Sequence, residues 1–209
     1  MSGIEGYGLG ALSLLALTAF ASLIGLFVAP ALIRFAAFRP YRLIRNAEYW
    51  RLISSGFVHA NFSHLFFNLL TFYFFAFTLE ARIGTLPFVA LYALGLLIGN
   101  LSTWLRHHTD PDYATVGASG AVSAVLFAAI VYYPRMRLYI LPLPVPIPAL
   151  LFAVLYLAYS YYQARQVRAG VNHDAHIGGA LTGLVFVALF EPGAYERLFI
   201  ALQAMSSSG

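Results

Sequence analysis

The sequence contains no cysteine and no lysine, and its charged residues are few. Only 10% of the 209 residues are charged, whereas 61% are hydrophobic. A soluble domain of this size would not cover so much apolar surface with so few charged side chains, so the composition indicates an integral membrane protein. The absence of cysteine excludes disulfide bonds and thiolate metal ligands. The net charge of +4 is dispersed and suits anionic lipid headgroups rather than nucleic acid.

Two patterns of hydrolytic chemistry are also missing. No glutamate stands between histidines in the His-Glu-x-x-His order of zinc proteases. The aspartates Asp110, Asp112 and Asp174 fall in predicted loops or at a helix edge, so no pair of them lies inside the membrane. His173 and His176 could share a metal ion only with a histidine from another helix. The sequence therefore predicts no metal site.

Six apolar runs have about the length that crosses a membrane, for which a helix needs about 20 mostly apolar residues. The predicted transmembrane helices cover residues 9–33, 62–79, 86–105, 116–133, 148–162 and 173–190. No basic residue precedes the first run, which favours a retained helix over a cleaved signal peptide. The predicted fold class is therefore an all-α membrane protein, a bundle of six transmembrane helices.

The segments between these runs are polar, aromatic or rich in proline. Residues 34–57 mix five arginines with aromatic side chains and are predicted to form a long interfacial loop in the headgroup layer. Residues 142–148 cannot continue a helix because of their prolines and are predicted to be a connector. Residues 191–205 have the pattern of a short amphipathic tail, and 206–209 are predicted to be disordered. The predicted division is an N-terminal tail, one membrane domain and a C-terminal tail, at residues 1–8, 9–190 and 191–209.

The polar residues inside the predicted helices fall at one depth. Because successive helices cross in opposite directions, the second, fourth and sixth begin on the same side of the membrane. His64 and Asn68 lie near the start of the second helix, Ser119 near the start of the fourth and His176 near the start of the sixth. Intramembrane ionisable residues usually serve a function, and a shared depth is expected of residues that form one site.

Ser119 and His176 have the chemistry of a nucleophile and its base. An imidazole can take the proton of a serine hydroxyl and later protonate the leaving amine. The alternative is that Ser119 is only a small residue in a helix interface. His64 and Asn68 share a helix face and could donate hydrogen bonds to an oxyanion, together with an N–H at the start of the fourth helix. Alternatively, they form a polar clamp between helices.

Gly179 and Gly183 are spaced four residues apart on the sixth helix, after His176. Small residues at this spacing let two helices approach closely. We expect them to bring the sixth helix against the fourth, so that His176 comes within reach of Ser119.

Three nearby polar residues are assigned no catalytic role. Asp174 is two residues from His176 and therefore lies on a different helix face, which favours a dyad over a triad. His107 and His108, beside Asp110, are predicted to belong to a solvated loop.

The first of three motifs lies around the second predicted helix. Trp50 and Arg51, followed by His59, His64 and Asn68, are similar to the WR and HxxxxHxxxN patterns of the rhomboid family of intramembrane serine proteases.

Two further motifs extend this resemblance over roughly residues 50–190. Gly117-Ala118-Ser119-Gly120 is similar to the GxSG motif of the family, and Ala175-His176 with Gly179 and Gly183 is similar to its AHxxGxxxG motif. Each motif alone is weak, but three of them in this order on the second, fourth and sixth helices are specific. The resemblance implies a rhomboid-like bundle with an interfacial first loop.

The resemblance also implies roles for the matched residues. Ser119 would attack the scissile carbonyl, and His176 would act as base and then as acid. His64, Asn68 and the N–H of Ser119 would hold the oxyanion. The implied substrates are other transmembrane proteins, cleaved at small residues near the membrane face without a cofactor.

Other matched residues are implied to support the site, among them His59 and the glycines Gly117 and Gly120. Trp50 and Arg51 would lie in the interfacial loop beside the substrate entrance. One position departs from the family pattern, because many members carry an aromatic residue four positions after the serine, stacked on the catalytic histidine. Here that position is Ser123.

Two signals for the orientation of the protein in the membrane conflict. Eight arginines lie on the side of the predicted site and four on the other, which by the positive-inside rule would make that side cytoplasmic. The resemblance implies the extracytoplasmic side of the inner membrane instead, which we expect here.

Two other functions stay open: an inactive rhomboid-like protein that binds membrane helices, and a small transporter that uses the histidines. The sequence leaves the oligomeric state undetermined.

Overall fold

A computed structural model of the protein describes residues 8–139, 145–166 and 171–206. These ranges contain ten α-helices, a 3-10 helix and two β-strands. The helices are α1 (Leu9–Phe27), α2 (Pro30–Ala36), α3 (Pro40–Arg45), α4 (Arg51–Ser54), α5 (Phe62–Ile83), α6 (Thr85–His107), α7 (Ser119–Tyr132), α8 (Ala149–Ala164), α9 (His173–Phe190) and α10 (Gly193–Ser206), with the 3-10 helix at Ser55–Phe57. The strands β1 (Arg137–Tyr139) and β2 (Pro146–Pro148) pair antiparallel.

Four of the described helices, α1, α5, α6 and α9, are long and apolar enough to cross a membrane. The apolar helices α7 and α8 are shorter, at 14 and 16 residues. At 1.5 Å per residue α7 is about 21 Å long, less than the ~30 Å hydrocarbon core of a bilayer. It is buried along almost its whole length and packs against α5, α6 and α9. Protein rather than lipid therefore surrounds this central helix, and the predicted all-α membrane bundle is confirmed.

The first predicted helix is wrong at its C-terminal end, because α1 stops at Phe27 and a new helix begins at Pro30. Proline lacks the N–H of a continuous helix and disfavours helical backbone in the residue before it, here Ala29 with φ of −135°. A Cβ added at Gly25 would lie 2.7 Å from Cγ1 of Ile33. The glycine thus allows α2 to fold back onto α1.

The segment predicted as an interfacial loop is instead a folded unit that includes α3 and α4. Its centre is Arg51, which is 7% exposed and makes an ion pair of 2.6 Å with Glu48. The Arg51 guanidinium also donates to the backbone carbonyls of Phe35 and Ala37 and lies 4.4 Å from the centre of the Trp50 ring. Because a guanidinium has five donors, one arginine can tie several turns of backbone together.

The N-terminus of α1 is held by a charged residue that the sequence places at the end of the second span. α5 continues past the predicted end at residue 79, and Glu80 is fully buried inside it. Its carboxylate accepts hydrogen bonds from the N–H groups of Gly10 at 3.0 Å and Ala11 at 2.7 Å and from the Thr85 hydroxyl at 2.7 Å. A carboxylate at a helix N-terminus satisfies free N–H groups and complements the helix dipole, which explains a buried charge here.

The fourth predicted helix begins three residues later than expected. Gly117 has φ of +123°, outside the helical region, and α7 therefore starts at Ser119. The third and fifth predicted helices are both longer than expected, ending at His107 and Ala164.

The ends of the connector and of the C-terminal tail also differ from the predictions. Residues 146–148 of the predicted connector form β2, while positions 142–144 lie outside the described residues. The amphipathic tail is the helix α10, which includes Ser206, predicted to be disordered. Residues 1–7 and 207–209 of the two predicted tails lie outside the described residues.

Candidate active site

An open cavity of about 490 Å³ lies between α5, α7, α8 and α9. His64 and Asn68 of α5, Ser119 of α7 and His176 of α9 all line it. These are the four residues that the sequence places at one depth. The walls between them are mostly apolar, so polar groups from three helices converge on a largely nonpolar space.

Glycines bring the backbones beside Ser119 and His176 into contact. A Cβ at Gly99 of α6 would lie 3.0 Å from the carbonyl oxygen of Ala175 and 3.3 Å from Cα of Gly120. A Cβ at Gly179 would overlap the carbonyl oxygen of Gly120. The residues that directly follow Ser119 and precede His176 are thus packed backbone to backbone.

The same packing continues one turn further into the membrane. A Cβ at Gly183 would overlap the carbonyl oxygen of Ala124. Gly179 and Gly183 thus lie where α9 packs closely against α7.

Gly117 shapes the turn that leads into the serine. In addition to its positive φ, a Cβ at this position would lie 2.6 Å from Cε1 of His64. Its N–H donates to the carbonyl of Ser55 at 2.9 Å. Any side chain at position 117 would therefore displace the His64 ring, so the glycine allows His64 to lie against the turn before Ser119.

His59 supports this turn through a chain of hydrogen bonds. The N–H of Ala118 donates to Nε2 of His59 at 3.4 Å, so Nε2 must be the unprotonated ring nitrogen. Nδ1 then carries the proton and donates to the Ser22 hydroxyl at 2.9 Å, which donates to the carbonyl of Phe57 at 3.0 Å. Burial, with the nearby His64 as a smaller second cause, lowers the pKa of the His59 imidazole to about 3. A neutral His59 is what this donor and acceptor pattern requires.

The two predicted oxyanion donors, His64 and Asn68, both line the cavity but make different contacts. His64 lines the cavity and contacts the His59 ring edge to face, with 4.8 Å between ring centres. Asn68 is 9% exposed, and its amide nitrogen donates to the carbonyl of His64 at 2.9 Å. Because an amide has two N–H groups, this hydrogen bond uses only one of them.

Trp50 and Arg51 lie outside the lining of this cavity, in the folded unit that includes α3 and α4. Phe38 of that unit pairs with Thr115 through the backbone, with both N–H···O distances at 2.9 Å. Thr115 is four residues before Ser119. The unit therefore holds the strand-like segment that enters the site.

The start of α9 is anchored by side chains that the sequence leaves unassigned. Asn172 accepts from the N–H of Ala175 at 3.1 Å and donates to the hydroxyls of Thr103 at 2.9 Å and Thr115 at 3.3 Å. An asparagine at this position is a common helix N-cap. It also ties α9 to α6 and to the segment before Ser119.

His107, predicted to lie in a solvated loop, is instead the half-buried last residue of α6, while residues 109–112 after it are exposed. His107 stacks on Tyr113 with 3.8 Å between ring centres, and its Nε2 lies 3.2 Å from Asp174, which also faces Arg106 at 3.5 Å. Asp174 thus faces α6, in agreement with the prediction that it does not orient His176.

One residue that contacts a catalytic candidate was not predicted as its partner. The Tyr156 ring of α8 stacks on His176, with 5.8 Å between ring centres and 21° between the planes. Its hydroxyl makes a hydrogen bond of 2.7 Å with Ser123. α8 also carries Tyr159, Tyr161 and Tyr162, and no sequence signal distinguishes Tyr156 from these.

Comparison with known proteins gives a consistent family pattern. Residues 46–192 match the family model described as a rhomboid domain. The chain is 44% identical over 80 residues to a putative rhomboid protease of Bacillus subtilis (strain 168), covering 38% of this chain and 39% of that protein. It is 28% identical over 161 residues to a mitochondrial rhomboid-like protein of Arabidopsis thaliana, covering 69% and 47%. It is also 28% identical over 161 residues to a rhomboid protease of Providencia stuartii, covering 68% and 56%. The matches thus span less than two thirds of the length of each of these relatives.

Proposed function

This chain belongs to the rhomboid family, and we propose that it is an intramembrane serine endopeptidase with Ser119 and His176 as its catalytic dyad. The observation that carries the proposal is the convergence of Ser119, His176, His64 and Asn68 on one cavity from three helices. Relatives that are named as rhomboid proteases support proteolysis as the activity.

The proposed reaction has two steps. In the first, Ser119 Oγ attacks the scissile carbonyl of a substrate helix while His176 takes the hydroxyl proton, and His176 then gives that proton to the leaving amine. The products of this step are an ester that joins Ser119 to the N-terminal part of the substrate, and the released C-terminal part, which carries a new free amine. In the second step His176 activates a water molecule, which hydrolyses the ester and restores the serine.

The cavity also suits an extended substrate backbone. Peptide bonds inside an intact helix are shielded, so a substrate must unwind locally before its carbonyl can reach Ser119. The cavity beside Ser119 is open and has mostly apolar walls, which would admit such an unwound segment. The proposed substrates are therefore transmembrane proteins that unwind easily near the membrane face.

The proposed function is tested by labelling with a fluorophosphonate probe, followed by mapping of the modified peptide. We expect one modified residue, Ser119, and no labelling of Ser119→Ala. A label on Ser63 or Ser123, which also line the cavity, would contradict the assignment. An unlabelled protein that still binds transmembrane helices would instead be an inactive member of the family.

His64 and Asn68 are proposed to donate to the oxyanion together with the N–H of Ser119. We expect His64→Ala and Asn68→Ala each to lower kcat for a model transmembrane substrate by about 10²–10³-fold, as loss of one oxyanion donor does elsewhere. Thr71→Val is the matched control, because Thr71 lines the same cavity on α5 and is assigned no donor role. Unchanged kcat in both variants would indicate that His64 and Asn68 form only a polar clamp between helices and donate nothing to the oxyanion.

We propose that the protein lies in the inner membrane with the cavity open toward the extracytoplasmic side. Several arginines on that side belong to the folded unit that includes α3 and α4, where they contact protein groups, so they need not report topology. The chain has no cysteine, so a single cysteine introduced in the turn between α6 and α7 would report the orientation. Reaction of that cysteine with a membrane-impermeant maleimide only from the cytoplasmic side would refute this orientation.

A further inference from the structure

The imidazole of His176 rests on an aromatic ring that comes from a third helix. Tyr156 of α8 lies nearly parallel to it, at 21° and 5.8 Å between centres. Offset stacking of this kind favours one orientation of the imidazole over its rotated alternatives. His176 also meets His173 edge to face at 5.4 Å, a contact within α9.

Tyr156 is itself held from two directions. Its hydroxyl makes a hydrogen bond of 2.7 Å with the hydroxyl of Ser123 on α7, and Ser123 is only 3% exposed. Its ring lies 5.6 Å from Phe127 of α7 and 5.6 Å from Phe152 of α8. The tyrosine is thus fixed at both ends against the helix that carries Ser119.

The helix that supplies this ring is the least enclosed of the helices that line the cavity. Only Ala149 and Ser160 of its 16 residues are buried. Most of its remaining length is half-buried or exposed, and its cavity-facing side carries Phe152 and Tyr156. A shift of α8 relative to α7 would move Tyr156 away from both Ser123 and His176.

We propose that Tyr156 is a positioning residue for His176, so that the orientation of the general base depends on how α8 sits against α7 and α9. The proposal rests on the proposed function. It identifies the partner that holds the imidazole in place of an aromatic residue at position 123. When α8 packs against α7 and α9, the stack of Tyr156 on His176 and the hydrogen bond of Tyr156 with Ser123 orient the histidine. When α8 moves outward, both contacts are lost together.

Kinetics of three single variants and one double variant test this role with a model transmembrane substrate in detergent. Tyr156→Leu removes the ring, and we expect kcat to fall about 10–100-fold while KM changes less than about 2-fold, because a misplaced catalytic group costs rate rather than binding. Tyr156→Phe keeps the ring and should recover most of that loss. Ser123→Ala removes the same hydrogen bond from its other end, so Ser123→Ala/Tyr156→Phe should lose no more than either single variant.

A matched control lies on the same helix. Tyr159 contacts His173 edge to face at 5.5 Å, so Tyr159→Leu makes the same chemical change while leaving the stack on His176 intact. We expect its kcat to stay within about 2-fold of the wild type. An equal loss in Tyr159→Leu and Tyr156→Leu, or a loss confined to KM, would overturn the positioning role.

A second measurement does not depend on activity. In protein with ¹³C-labelled histidine, the Cε1–H resonance of His176 is assigned by its absence in His176→Ala. A ring stacked on the imidazole displaces this resonance by its ring current. We expect the displacement to persist in Tyr156→Phe and to vanish in Tyr156→Leu. A resonance at the same position in the wild type, Tyr156→Phe and Tyr156→Leu would refute the proposal. Failure of the proposed function would appear separately, as cleavage that survives Ser119→Ala.

Discussion

Replacing His176 by alanine is expected to lower kcat for a model transmembrane substrate by about 10⁴-fold or more, to the level of Ser119→Ala. Without the imidazole, no group in the cavity is assigned to take the serine proton, and loss of either partner in a serine–histidine pair costs about as much as loss of both. The double variant is therefore expected to be no slower than either single variant. Initial rates of cleavage in detergent and in liposomes measure this.

The matched control is His173→Ala. His173 is also at the start of α9 and contacts the His176 ring, but it lies outside the lining of the cavity. We expect its kcat to remain within about one order of magnitude of the wild type. Comparable losses in both histidine variants, or losses in Ser119→Ala and His176→Ala that multiply in the double variant, would contradict a dyad.

Alanine at position 179 is expected to have the largest effect on stability. A Cβ there would overlap the carbonyl oxygen of Gly120, and a backbone atom cannot rotate away as a side chain can. The helices α7 and α9 would have to separate, which we expect to cost about 3 kcal/mol, the upper part of the range for overpacking. Because Ser119 and His176 adjoin this contact, a displacement of about 1 Å would also lower kcat about 10²-fold. Unfolding in SDS and cleavage rates measure the two effects.

Gly178→Ala is the control for this substitution. The Cβ at position 178 would overlap the hydroxyl of Ser102, a side chain that can turn to another rotamer, and would lie 3.1 Å from the carbonyl oxygen of Ile98, a tight contact but not an overlap. We expect a loss of about 1 kcal/mol and kcat within a few-fold of the wild type. If Gly179→Ala were no more destabilising than Gly178→Ala, the close approach of α7 and α9 would not be the contact that holds the site together.

The site residues could be predicted because their chemistry is unusual inside a membrane. An apolar run needs no histidine, asparagine or paired glycines, so each such residue is conspicuous against leucine and phenylalanine. The alternation of helix direction then assigns His64, Ser119 and His176 to one depth. The structure places all three on one cavity, while their catalytic roles stay predictions.

Helix ends were less predictable from hydropathy alone. The break between α1 and α2 follows from Pro30, and the late start of α7 follows from the positive φ of Gly117. Both residues are tolerated inside long apolar runs, so they do not interrupt the hydropathy signal. Glu80 had the opposite effect and made the second predicted helix too short. Its charge suggests a helix end, but Glu80 lies inside α5, where it caps α1.

By itself, the sequence determined the membrane class, the six apolar helices and the residues that carry the proposed chemistry. These follow from composition, run length and the cost of polar groups in lipid, which are properties of single segments. Only the tertiary structure decided what supports those residues: the hydrogen-bond chain from Ala118 through His59 to Ser22, and the stack of Tyr156 on His176. In a soluble helix the apolar face indicates which side is buried, but a membrane helix is apolar all round. Which side chains meet is then set by how closely the backbones pack, and that depends on contacts between segments far apart in the chain.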